Sequence, residues 1–248
     1  MTAEKGPDHG SEQLTHKQAV ERALNDPAAR AARADNPHVV QARQLYEANA
    51  SSLLAELTEL GLEVESVGEL ARRRLKYQVA VPVLLRWLPQ VSYLPLAEDI
   101  VRTLSVSFAK KAALSEFLKM FRQPPDVEDP MRPATSELPI EHLRWVFGNG
   151  LGIFAGPTAA DDLLELALDR RFGQARTQIV LNLPKTKDDR AAEALLSLLD
   201  DPTVSAFAIE ALGKMRHAPA RGSIAGMLDH SDKNVRDQAR KALKRIDG

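Results

Sequence analysis

The chain has 248 residues, enough for one large domain or two small ones, with 44% hydrophobic and 27% charged residues, a balance ordinary for a globular protein with a buried core. The absence of cysteine excludes disulfides, a thiolate nucleophile and any Cys-ligated metal. With 33 Lys and Arg against 34 Asp and Glu, the formal charge of −1 argues against a non-specific nucleic-acid binder, which needs a basic excess to neutralise phosphates.

In chain order, residues 1–37 are polar and weakly periodic; they read as a mobile tail with a short helix over 14–24. They hold no apolar leader segment, and no apolar run is long enough to span a bilayer, so the expected compartment is the cytoplasm, with no membrane partner. Residues 39–60 form an amphipathic helix stopped by Gly61; Ser66 and Glu69 have the spacing of a capping box. The segment 38–77 is therefore expected to be an N-terminal helical cap.

From residue 78 onward the chain repeats itself. Leu151, Leu183, Leu212 and Leu243 hold the same slot of an apolar helical face at spacings of 32, 29 and 31, an array period rather than a chance echo. Leu104 takes that slot one unit earlier, at a spacing of 47. The excess falls on residues 123–139, whose five prolines forbid a regular helix; this insertion is expected to project from an edge between the two helices of one pair. Before each anchor helix lies another: residues 163–169, 194–200 and 223–229 all end in Leu-Asp and lead through a short polar turn. Thr158 reads as a helix N-cap, with Asp161 in the acidic first turn. One hairpin of this size cannot bury its own apolar face, and stacking neighbours does so. The fold class is thus an all-α solenoid of about five helix pairs, with no sheet.

Segments 201–215 and 231–246 are similar to HEAT repeats, and more narrowly to the short bacterial type found also in phycobilisome lyases. The resemblance covers residues 78–248. It implies a right-handed superhelix whose second helices line the concave side, and it places Arg176 and Arg236 in a slot where arginine pairs with acids of adjacent turns. It does not imply one activity, since such repeats serve scaffolds, lyases and DNA-repair enzymes.

Aligned second helices give the concave row: Glu98, Arg102, Trp145, Asn149, Gln178, Phe207, Glu210 and Lys241 are its candidate binding residues. Asp99, Val146, Thr177, Leu181, Ala206, Asp237 and Gln238 fill the neighbouring slots. Both charge signs, amides and two large rings suit a protein or peptide partner better than DNA. Gly148, Gly150 and Gly152 lack a preceding strand and read as helix-packing positions rather than a dinucleotide loop. The six histidines show no ligand spacing, so no metal or cofactor is expected. The expected function is a protein-interaction module. Its rivals are a lyase-like helper acting on a modified protein and a HEAT-like DNA glycosylase, for which Asp99 beside Trp145 is the one candidate pair.

Overall fold

A computed structural model describes Asp26 and residues 35–133 and 137–248. The tail expected over 1–37, with its helix over 14–24, lies outside them apart from Asp26 and residues 35–37. Among the described residues the chain is all helical, with no strand and one isolated bridge, Tyr93 to Glu128. No described helix is long and apolar enough to cross a membrane.

The chain divides into two compact units, Met1–Leu45 and Tyr46–Gly248. In the first, helix α1 (Pro37–Glu59) begins where the Asn36 carboxamide accepts the His38 amide at 2.9 Å, and Val39 and Val40 face solvent.

The second unit opens with the remainder of α1, which buries Ala50, Leu53 and Leu57 on one face. Gly61, at φ 76°, ends it, and the amides of Gly61 and Leu62 return to the carbonyls of Thr58 and Leu57 at 2.8 and 2.9 Å. The capping box does not form at Ser66 and Glu69. Glu69 accepts the Glu65 amide instead, and the Ser66 hydroxyl accepts from Arg72, because helix α2 (Glu69–Arg72) starts after Gly68 with no side-chain cap.

Ten further α-helices follow among the described residues: α3 (Val81–Trp87), α4 (Leu94–Leu104), α5 (Lys110–Arg122), α6 (Pro139–Phe154), α7 (Ala160–Leu168), α8 (Thr177–Asn182), α9 (Arg190–Ser197), α10 (Ser205–Met215), α11 (Arg221–Ala225) and α12 (Lys233–Asp247). From α3 on, each odd-numbered helix packs on the even-numbered one after it, and α4, α6, α8, α10 and α12 pack on one another in chain order. Leu104, Leu151 and Leu212 in that row and Leu183 just past α8 are fully buried, whereas Leu243 on α12 is half-buried. Thr158 does not cap α7; it sits within a 3-10 turn, Pro157–Ala159, that leads into the helix.

Close approach is set by small residues. A Cβ at Gly148 would lie 2.0 Å from the Ala175 carbonyl oxygen, one at Gly152 2.7 Å from that of Gln178, and one at Gly150 2.6 Å from the Phe117 ring. Only glycine lets α6 touch both α5 and the chain entering α8. Phe117 fills the space around Gly150, with Phe147 and Phe154 at 5.2 and 5.1 Å.

Arg176 is buried to 1% exposure. Its guanidinium donates to the carbonyls of Ala167 and Gly173 at 2.9 and 3.1 Å and to the Asp201 carboxylate at 2.7 Å, tying the α7–α8 pair to the next. Arg236 donates to the His230 and Ser231 carbonyls at 2.6 and 2.7 Å, closing its own turn with no acid.

The insertion docks over its described part rather than projecting. Val127 is buried, the Glu128 amide donates to the Ser92 carbonyl at 2.7 Å, and the Leu94 amide donates back to the Glu128 carbonyl at 2.9 Å. The second of these bonds satisfies the Leu94 amide, one of the donors that the first turn of α4 leaves without an intrahelical partner; Pro95 beside it has no N–H to satisfy.

Candidate functional site

The outer face of the even-numbered helices carries every residue of the expected row. Glu98, Trp145, Asn149, Gln178, Phe207 and Glu210 are half-buried, and Arg102 and Lys241 are exposed. The neighbouring slots do not follow one register. Val146, Thr177 and Ala206 are buried, while Leu181 and Gln238 are half-buried. The exposed stripe therefore steps by one position from α6 to α8 relative to the anchor leucines.

At the α4–α6 end, side chains from two helices and the insertion form one cluster. His142 Nε2 lies 2.7 Å from a Glu98 carboxylate oxygen, and its Nδ1 lies 3.6 Å from Glu137. Arg102 closes on the other Glu98 oxygen at 3.2 Å. The Trp145 ring lies against the imidazole at 5.8 Å between centroids, tilted by 35°. Glu98 positions the imidazole, and the Trp145 ring packing on it presents a large amphipathic surface at this end of the face. Further along, Lys214 reaches Glu210 at 2.8 Å, and Arg240 reaches Asp237 at 2.8 Å. The face is mixed in sign, and its charges are largely paired within it.

The cluster's His142 and Glu137 escaped sequence reasoning because Glu98 lies 44 residues before His142, across the insertion. One signal was available: His142 and Trp145 stand three apart, on one side of a helix that begins at Pro139.

Asp99 sits in a different network. Its carboxylate accepts the Tyr46 hydroxyl at 2.8 Å and the Gly68 amide at 3.2 Å, and the Tyr46 oxygen accepts the Val67 amide at 3.1 Å. Burial and then the Asp99 charge push the Tyr46 hydroxyl well above its ordinary range, so it stays a donor. Asp99 thereby locks the loop before α2 onto α4.

A cavity of about 330 Å³ gathers Arg122, Arg144 and Arg171 around Phe172. Two of the guanidinium carbons lie 5.8 and 6.0 Å from the ring centroid. Each arginine is already neutralised: Arg122 by Asp162 and Glu165, Arg144 by Glu141, and Arg171 by Asp169. The hydrogen bonds from Arg171 hold the Asp169 carboxyl below its usual range. The pocket has no cation left over for an anionic ligand.

The chain matches no family model, and a search of curated proteins finds no match to it either.

Proposed function

We propose that the chain is a non-enzymatic protein-interaction module: a right-handed α-solenoid of five HEAT-like helix pairs that grips a partner protein or peptide on the face of its second helices. The reading rests above all on one observation. Five even-numbered helices pack in chain order and leave Trp145 and Phe207 half-exposed among paired charges. Rigid aromatic anchors ringed by polar groups carry most of the energy in protein interfaces, whereas a nucleic-acid groove needs unpaired cations in a row. The segment before α3 closes the first apolar face; within it Glu56 accepts the Trp87 indole N–H at 3.1 Å and pairs with Arg86. A chain free of cysteine suits a reducing, cytoplasmic setting.

The test is affinity capture from the source cells with the full chain and with its Trp145→Ala/Phe207→Ala variant, alongside elution from heparin. The proposal requires a protein retained by the parent chain and lost from a variant of unchanged helicity, with no heparin retention in moderate salt. Equal capture by both, or firm heparin retention, overturns it.

A further inference from the structure

The opposite side of the unit carries a second surface that the reading above does not use. Between α7 and α9 runs a groove of about 510 Å³, within the roughly 300–1,000 Å³ that binding clefts occupy. Leu164 and Ala194 form its floor, and Leu168 stands at one end with 45% of its surface exposed. In the next unit the equivalent Leu199 is only 7% exposed, so Leu168 is an apolar side chain its own fold leaves uncovered. Ala194 is short where its counterpart in α7 is Leu163, which opens the depression.

Helical geometry aligns both walls. Asp161, Glu165 and Leu168 recur on one side of α7, and Arg190, Glu193 and Ser197 on one side of α9, each at spacings of three and four. Two such ridges side by side form the seat into which a third helix packs.

The rim decides the charge of that helix. Asp161, Glu165 and Glu193 line it with one cation, Arg190, which is already held by Asp161 at 2.5 Å and Asp188 at 2.7 Å, while Glu165 is met at 3.1 Å by Arg122 from beyond the groove. Glu193 has no ion-pair partner among the described residues. An acidic rim over an apolar floor repels anionic lipid and nucleic acid and attracts lysine and arginine.

We propose that the α7–α9 groove docks a cationic amphipathic helix of a partner protein, which seats a leucine-like side chain against Leu164 and Leu168 and sets a basic residue on Glu193.

The probe is a fluorescent helical peptide of leucine, alanine and lysine with leucines at helical spacing, followed by anisotropy against the full chain. Its control replaces every lysine by glutamate. Saturable binding is expected of the basic peptide and none of the acidic one. Leu168→Ser and Glu193→Lys should each weaken it about tenfold or more, the order expected when one apolar or charged contact is lost from an interface. Both positions are exposed, so their variants should keep the parent helicity. Trp145→Ala/Phe207→Ala should bind the peptide unchanged, which separates this groove from the second-helix face. Four results would overturn the proposal: no saturable binding, indifference to both groove substitutions, loss of binding in the aromatic variant, and a dimer in sedimentation that Leu168→Ser dissolves. The last would assign the groove to a second copy of the chain.

Discussion

Replacing Arg176 by methionine tests the most enclosed polar contact of the second unit. The substitution keeps an apolar stem of similar length but removes the hydrogen-bonded cation of the Asp201 carboxylate, which is 3% exposed, and leaves the half-exposed Arg170, at 3.8 Å, as its nearest positive charge. It also leaves the Ala167 and Gly173 carbonyls without their donor. Breaking a buried ion pair on one side costs about 3–5 kcal/mol, because the remaining charge stays desolvated. The Thr203 amide still reaches the other Asp201 oxygen at 3.0 Å, which places the loss near the lower end, about 3 kcal/mol. For a unit of this size that corresponds to roughly 6–12 °C in Tm.

The pH dependence follows from the same geometry. Burial acts to raise the Asp201 carboxyl, but the Arg176 guanidinium and the Thr203 amide outweigh it and hold it below its ordinary value. A lowered carboxyl contributes stability that is fully present above the unfolded-state pKa, about 3.9, and is lost as pH falls through the folded-state value. Urea unfolding followed by circular dichroism should therefore show a gap between parent and Arg176→Met that is full at neutral pH and narrows in acid. Adding Asp201→Asn to Arg176→Met should recover part of the loss. A gap under about 1 kcal/mol at neutral pH, or one constant into acid, would refute the reasoning, since either means that the pair is not paid for by desolvation.

Two further outcomes test the packing. Gly213→Ala places a methyl 2.7 Å from the Ala242 backbone and should lower the urea midpoint by the equivalent of about 1–3 kcal/mol, whereas Gly222→Ala in open space on α11 should be neutral or stabilise by up to about 1 kcal/mol; equal effects would mean that α10 and α12 are not in contact. Deleting residues 221–248 uncovers the side of α10 that carries Ala208 and Leu212, so the shortened chain should melt earlier and scatter light as it concentrates; an unchanged, monomeric protein would contradict the row of even-numbered helices.

The helical class was legible because apolar residues recur at 3.6 in every periodic stretch, and four of the five anchor leucines are fully buried. A second register went unread. Ala80, Ala109, Ala159, Ala191 and Ala220 are all buried where the odd-numbered helices begin, four of them closing a 3-10 turn. A small apolar residue is a weak signal in an alanine-rich chain, since its burial depends on a neighbour arriving close by rather than on its own hydrophobicity. Capping was misread for a related reason. The Ser66 and Glu69 spacing is local, but Gly68 lies against Asp99, with 2.9 Å between a Cβ built there and the carboxylate, and that long-range contact sets where α2 starts.

The candidate face shows the same division between what a period can say and what contacts decide. All eight residues chosen by repeat alignment retain solvent access, because the side of a helix that faces away from its neighbours follows from the apolar stripe alone. Which of them act together does not follow from it. Glu98 and Trp145 hold equivalent slots in successive units, yet they are joined through His142, a residue one turn earlier that the alignment left in the margin. The insertion contributes to this from its far end: Glu137 approaches the second imidazole nitrogen, while Val127 and Glu128 fasten its near end beside the start of α4. The departure from the repeat thus touches the second-helix face at α4 and at α6. A break in an otherwise regular array adds side chains at one place only, so the α4–α6 end, rather than the regular α8–α10 stretch, is where this face gains its individuality.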